Sequence, residues 1–301
     1  MRRIISFAVV LAVLVPMGAQ PSQATFPGSN GKLAFVSFGD GPNRIGVIEP
    51  DGDGLTFVTS PEHRLDWEPS WSDDGAMIVF DTLTREYDHP KIMTMAADGT
   101  DPTVVYEAPD RVKDIYRPVW SPDATQIAFC GAVGRAYLLQ IFTMNADGSS
   151  VTNISGSKHP DDCSPDWSPD GTKIAFSPGG VVTMDPDGTG RTVVVADGRW
   201  PSWSPDGAAI AFERRVDRQS DIFVVDVEGS DVTRLTDTAR RFEQTPAFSP
   251  DGALLAYSRG ANQFVFDDRD LFTVALVDLS VTRVADTRRS EYTVAWQPGP
   301  T

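Results

Sequence analysis

One short phrase recurs along the chain and constrains its fold more than any other feature. It reads Trp71-Ser72-Asp73-Asp74-Gly75, Trp120-Ser121-Pro122-Asp123, Trp167-Ser168-Pro169-Asp170-Gly171, Trp203-Ser204-Pro205-Asp206-Gly207 and Phe248-Ser249-Pro250-Asp251-Gly252. A shortened sixth copy, Trp296-Gln297-Pro298, lies near the C-terminal end. The aromatic anchors are 49, 47, 36, 45 and 48 residues apart. Proline stands two positions earlier in five copies (Pro69, Pro118, Pro165, Pro201 and Pro246), and Val294 takes that place in the sixth. A period of this length marks a repeat architecture, in which each unit buries its apolar face only against its neighbours.

Each phrase is followed by a short apolar run, such as Met77-Ile78-Val79-Phe80, Gln126-Ile127-Ala128-Phe129 or Ala209-Ile210-Ala211-Phe212. Four-residue apolar runs between turn signals read as strands buried on both faces. A third element follows, for example Lys91-Ile92-Met93-Thr94, and in five copies it runs into an acidic-Gly turn such as Asp98-Gly99 or Asp147-Gly148. Asp-Gly suits a tight hairpin, so a fourth strand folds straight back. Four short strands per unit predict an all-β fold, a six-bladed β-propeller of four-stranded antiparallel blades. At the N-terminal end, Gly31 to Phe35 matches a second strand with no first strand before it, and Tyr292 to Trp296 is a first strand with nothing after it. Joined, the two ends share one blade and close the ring, which removes an open sheet edge.

Ahead of the repeat, residues 1–24 read as a cleaved secretory signal peptide. Arg2 and Arg3 form its charged start, Ile4 to Val15 its apolar stretch, and Ser22-Gln23-Ala24 its cleavage site. Residues 25–301 then form the propeller, and the product is expected in the periplasm or outside the cell. The apolar run is too short to span a bilayer comfortably, and no later stretch approaches that length. Forty-two acidic residues against 26 basic ones give −16. Removing two arginines with the signal leaves 24 − 42 = −18. Such a charge repels nucleic acid and anionic lipid alike. Two cysteines and three histidines exclude a disulfide-dense scaffold and leave little for zinc.

The Trp-Ser-Pro-Asp-Gly phrase, the following apolar run ending in Ala-Phe and the Asp-Gly hairpin together resemble the WD40-like PD40 repeat of TolB-type six-bladed propellers, over residues 26–298. The resemblance implies a periplasmic, partner-binding protein of the cell envelope. The sequence departs from TolB in lacking an α/β domain ahead of the propeller, which argues against a Tol–Pal role. Dipeptidyl-peptidase-type enzymes carry related propellers, but they need a separate hydrolase domain, and the chain holds no Gly-x-Ser-x-Gly.

In a four-stranded blade the short Ser-Pro-Asp-Gly and Asp-Gly turns share one face. The connections Asp81 to Pro90, Gly131 to Leu139, Glu213 to Ser220 and Ser258 to Arg269 share the other, where long irregular loops suit recognition. Five positions before each anchor, at the entry of the innermost strand, stand Asp66, Ile115, Asp162, Gly198, Glu243 and Glu291, with Asp114 and Asp197 adjoining. Neighbouring positions add Trp67, Glu68, Tyr116, Arg117, Arg199, Trp200 and Tyr292. An acidic funnel edged by aromatic rings would suit a basic or cationic partner; the plainer alternative is a solvated face of an acidic protein. Cys130 and Cys163 fall at similar heights in adjacent blades, so a disulfide is expected, against two buried free thiols.

Other patterns carry less. Asp51-Gly52-Asp53-Gly54 and Asp185-Pro186-Asp187-Gly188 lack the rest of an EF-hand loop and read as hairpin turns. His63, His89 and His159 have no Ser or Cys partner at a recognisable spacing. Met95, Met144 and Met184 read as core. The residues therefore favour an exported, monomeric, non-catalytic propeller that binds a protein or peptide, with no cofactor. The alternative is a secreted hydrolase or lyase acting on a glycan or lactone through channel carboxylates, with a divalent cation such as calcium.

Overall fold

The computed structural model describes residues 29–39, 41–60, 64–84, 89–134, 136–156, 162–261, 268–285 and 289–299. The expected signal peptide, His63, His159 and parts of the connections after Asp81 and Ser258 lie outside them. The described residues hold strands only, and none of their segments is a helix long and apolar enough to cross a membrane.

Four sheets stand as separate four-stranded antiparallel blades. In order from the channel outwards, the first holds Ser290–Pro298, Asn30–Gly39, Gly41–Ile48 and Thr56–Phe57. The second holds Arg64–Trp71, Met77–Thr84, Lys91–Ala96 and Thr103–Glu107. The third holds Val112–Trp120, Gln126–Val133, Leu138–Asn145 and Thr152–Asn153, and the fourth Asp166–Trp167, Ile174–Phe176, Val181–Met184 and Thr192–Val195. The expectation of six such blades is corrected by the remaining strands, which form one eight-stranded sheet. It joins the meander that begins at Arg199–Trp203 to the one that begins at Phe242–Phe248. The cause is local: Ser220 pairs in parallel with Phe242, its N–H donates to the Arg241 carbonyl at 3.2 Å, and its hydroxyl donates to the Glu243 carbonyl at 3.2 Å.

The chain ends meet as the sequence suggests. Asn30–Gly39 runs antiparallel to Ser290–Pro298, with Leu33 opposite Trp296, Ala34 opposite Ala295 and Phe35 opposite Val294.

The recurring phrase is a hydrogen-bonded turn. Ser72 donates its hydroxyl to Asp74 at 2.6 Å and accepts the Met77 N–H at 2.9 Å, while Asp74 accepts the Ala76 N–H at 2.9 Å. The Ser–Asp bond recurs at Ser121, Ser168, Ser204 and Ser249. Where the phrase lacks its glycine, Ala124 takes the left-handed conformation in its stead, at φ 54°. The Asp-Gly turns make a second use of glycine. Gly148 lies against the last strand of the preceding blade, and a Cβ there would come within 1.7 Å of the Val105 carbonyl oxygen. Gly99 stands in the same relation to Val58, and Gly188 to Ile154.

Between blades the apolar runs interlock. Phe80, Phe129, Phe176 and Phe212 are all at most 1% exposed, and Met95, Met144 and Met184 are buried beside them. Ala128, Cys130 and Ile141 of one sheet pack on Trp167, Ile174 and Phe176 of the next. Burying one such side chain is worth about 1.5–3 kcal/mol.

Two of the expected irregular connections are extended hairpins instead. Strand pairing continues through Val216 opposite Gln219, and through Val133 opposite Leu138. In the first of these, polar residues such as Arg214 and Arg215 carry the strand above the core, so no apolar run betrays it. One hairpin is short. Ile174–Phe176 has 3 residues where Gln126–Val133 and Ala209–Val216 have 8. It stops at Phe176, the counterpart of Phe129, four residues short of the counterpart of Val133, so at about 3.3 Å per residue its wall stands about 13 Å lower. This is the 36-residue repeat.

Cys130 and Cys163 are joined by a disulfide that ties this short blade to its neighbour, with Cα atoms 5.1 Å apart and a sequence separation of 33. Closing a loop of that length should contribute about 3–4 kcal/mol. Alkylation without reductant should modify no thiol, and Cys130→Ser/Cys163→Ser should lower the denaturant midpoint accordingly. Two alkylated thiols in the native protein would overturn the bond.

Candidate functional site

The channel is shaped by a bulge repeated in the innermost strands. Three residues before each anchor the backbone turns left-handed, at Glu68 (φ 46°), Arg117 (52°), Ser164 (58°), Trp200 (53°), Thr245 (54°) and Thr293 (47°). The pairing register slips at the same place, between Trp67 and Ser70, Tyr116 and Val119, Arg199 and Ser202, and Gln244 and Ala247. In five copies the next residue is proline, which offers no N–H to the ladder and is tolerated at such bulges. A side chain in this conformation costs about 1–2 kcal/mol, and the bulge re-aims it toward the channel.

Above the bulges lies a cavity of about 850 Å³, on the face opposite the Ser-Pro-Asp-Gly turns. Of the residues expected there, Trp67, Glu68, Tyr116, Arg117, Arg199, Trp200 and Tyr292 line it. Phe38 meets Trp67 edge-on with ring centres 4.9 Å apart, and Trp200 meets Tyr292 edge-on at 6.3 Å. The Arg117 guanidinium stands 5.3 Å from the centre of the Trp200 ring and 3.1 Å from the Glu68 carboxylate. Its backbone N–H also donates to Glu68, at 2.6 Å.

The other four expected residues are enclosed in the walls. Asp66, Asp162, Glu243 and Glu291 are at most 1% exposed. The Thr82 hydroxyl donates to Asp66 at 2.7 Å. Arg191 grips Asp162 with two bonds of 2.8 and 3.0 Å, and Arg259 donates to Glu243 at 2.7 Å. Glu291 donates its backbone N–H to the Arg269 carbonyl at 2.9 Å. Side chains alternate along a strand, so Asp66 turns into the wall where Trp67 turns to the cavity. The mouth is consequently a mixed aromatic and charged surface, and not an open ring of carboxylates.

Asp114, which adjoins the expected ring in sequence, also lines the cavity, and so does an acid the sequence did not point to, Asp81. Asp81 directly follows the buried Phe80. The same position in the other repeats holds Val36, Cys130, Ser177, Glu213 and Ser258. Cys130 reaches Cys163 on the next innermost strand from this position, a signal that could have placed Asp81 facing its own neighbour. Burial pushes Asp81 well above the usual carboxylate range, with the charges of Glu68 and Asp114 adding to the effect. Burial also raises Glu68, outweighing the pull of Arg117. Tyr116 donates its hydroxyl to Asp114 at 2.6 Å, and burial followed by this bond raises the phenol. Burial pushes Tyr292 up to about 12.

Below the bulges the channel narrows to a space of about 200 Å³ walled by Trp71, Trp120, Trp167, Trp203, Phe248 and Trp296. Asp166 lies here and accepts the backbone N–H of Trp203 at 2.7 Å. Among the described residues, no group of three or more His, Cys, Asp or Glu side chains is placed to hold a metal ion. His89 faces Asp110 at 3.7 Å, and the acidic turns at Asp51 and Asp187 are closed by their own hairpin hydrogen bonds.

Comparison with known proteins agrees with this architecture. The family described as PD40, TolB beta propeller domain, matches residues 111–298. The structure of TolB from Acinetobacter baumannii superposes with a TM-score of 0.75 at 18% identity, covering 91% of this chain and 68% of that one. A putative TolB from Agrobacterium tumefaciens gives 0.67 at 20% identity, covering 90% of this chain and 100% of that one. Oligogalacturonate lyase from Vibrio parahaemolyticus gives 0.60 at 14% identity, covering 85% and 74%. At these identities the likeness is one of fold. No curated protein matches the sequence.

Enclosure pushes Asp166 up from 3.8 to about 7, so the folded state holds its proton more tightly than the unfolded chain. The stability this contributes is present below the unfolded value and lost as pH rises toward 7. Asn can still accept the Trp203 N–H. The stability gain of Asp166→Asn over wild type should therefore grow between pH 4 and pH 7 in denaturant titrations. A gain independent of pH would overturn this assignment.

Proposed function

The chain belongs to the TolB beta propeller family, and from that premise we propose that it is an exported, non-catalytic protein that binds an extended peptide or protein segment at the wide end of its channel. The observation that carries this reading is the cavity of about 850 Å³ at the mouth, whose wall is drawn from separate blades. Ser177 and Gly179 of the short hairpin line it, so a segment has lateral entry where the wall is low. Trp67, Trp200 and Tyr292 supply rigid apolar area with polar edges, the kind of surface that anchors peptides. Arg117 and Glu68 add polar contacts already held in place by each other. Export is supported by the signal-like residues 1–24, and the disulfide suits an oxidising compartment.

Selection of displayed random peptides on the immobilised protein tests the reading. Bound peptides should weaken about 30-fold on Trp200→Ala or Trp67→Ala, the scale of a binding hot spot. They should be indifferent to Val277→Lys, at a remote turn where the side chain is 88% exposed. Peptides that ignore both tryptophans would overturn it. Cleavage of oligogalacturonate by the purified protein would favour the enzymatic alternative.

A further inference from the structure

We propose that the recess formed by Asp81, Glu68 and Asp114 receives a primary ammonium group presented by the bound segment. The inference rests on the peptide-binding reading and specifies the chemistry that the segment must carry. Asp81 is 6% exposed, it lines the cavity, and its Oδ1 atom is enclosed without a hydrogen-bond partner. Its neighbours are answered: Glu68 by Arg117, Asp114 by the Tyr116 hydroxyl, and Asp66 by the Thr82 hydroxyl. A buried carboxylate oxygen without a donor is costly, and a ligand that supplies the donor recovers that cost on binding.

The shape of the charge selects the ligand. A primary ammonium is compact and carries three N–H donors, which suits carboxylates set on separate strands. A guanidinium is a flat fork that suits one carboxylate edge, and Arg117 already lies against Glu68. A quaternary ammonium has no N–H for Asp81. A divalent cation needs converging ligands, and among the described residues no such group is formed. The rings of Trp67 and Tyr116 line the same cavity and would flank the stem and the charge of an alkylammonium.

A lysine side chain and a peptide N-terminus both offer this group, and titrations followed by NMR of the tryptophan indoles separate them. The probes are Nα-acetyl-lysine N-methylamide, its Nε-acetylated form, glycylglycine N-methylamide, Nα-acetyl-arginine N-methylamide and calcium chloride. One of the two ammonium probes should bind, and Asp81→Asn should weaken it about 10- to 100-fold. Nε-acetylation should abolish binding if lysine is the source, and Asp278→Asn, in an exposed turn, should change nothing. Asn is a neutral isostere of a buried acid, so the variant should fold, and an unchanged thermal melt confirms it. Binding indifferent to Asp81→Asn, or matched by the arginine probe or calcium, overturns the inference. If selected peptides still depend on Trp200 while neither ammonium probe binds, the recess falls and the peptide site stands. If neither peptides nor probes bind, both fall.

Discussion

The pairing of Asn30–Gly39 with Ser290–Pro298 is the constraint on which the other contacts depend. It joins residues more than 250 positions apart, so its entropic cost is met only once the intervening sheets are in place. Tyr292 in the closing strand reaches Trp200 and Phe38, and Trp296 donates its indole N–H to the Ala247 carbonyl at 3.1 Å. The mouth of the channel is therefore assembled from both ends of the chain at once. Loss of that strand would open a sheet edge and remove one wall of the cavity together.

Much of the fold was legible because its signals are local and repeated. The Ser–Asp turn, the run ending at Phe80 or Phe129 and the Asp-Gly hairpin each need only a few neighbouring residues. Sheet continuity was not legible, since it hangs on one parallel pair between Ser220 and Phe242, and nothing in a serine announces such a contact. The tall hairpin of Ala209–Val216 was hidden for a related reason. Arg214 and Arg215 lie beyond the buried run, and a polar extended segment resembles a loop in sequence.

The site was legible by position but less so by direction. The positions neighbouring the five-residue count included Trp67, Arg117, Trp200 and Tyr292, which line the cavity. The five-residue count itself reached Asp66, Asp162, Glu243 and Glu291, which are enclosed in the walls, because side chains alternate along a strand and these fall on the inner side of the alternation. Asp81 escaped because it sits on the second strand. That position shows how one scaffold place serves several ends: a covalent staple at Cys130, a buried acid at Glu213, and at Asp81 an acid beside open space.

The glycines of the Asp-Gly turns have a wider consequence. At Gly99, Gly148 and Gly188 the turn rests on the backbone of the preceding blade, with no side chain between them. The angular step from blade to blade is thus gauged by main chain, and so is largely indifferent to the side chains that vary elsewhere. Residues at the rim can be exchanged without altering the circumference of the ring. A lineage built on this frame can remodel the mouth while the ring that carries it keeps its dimensions.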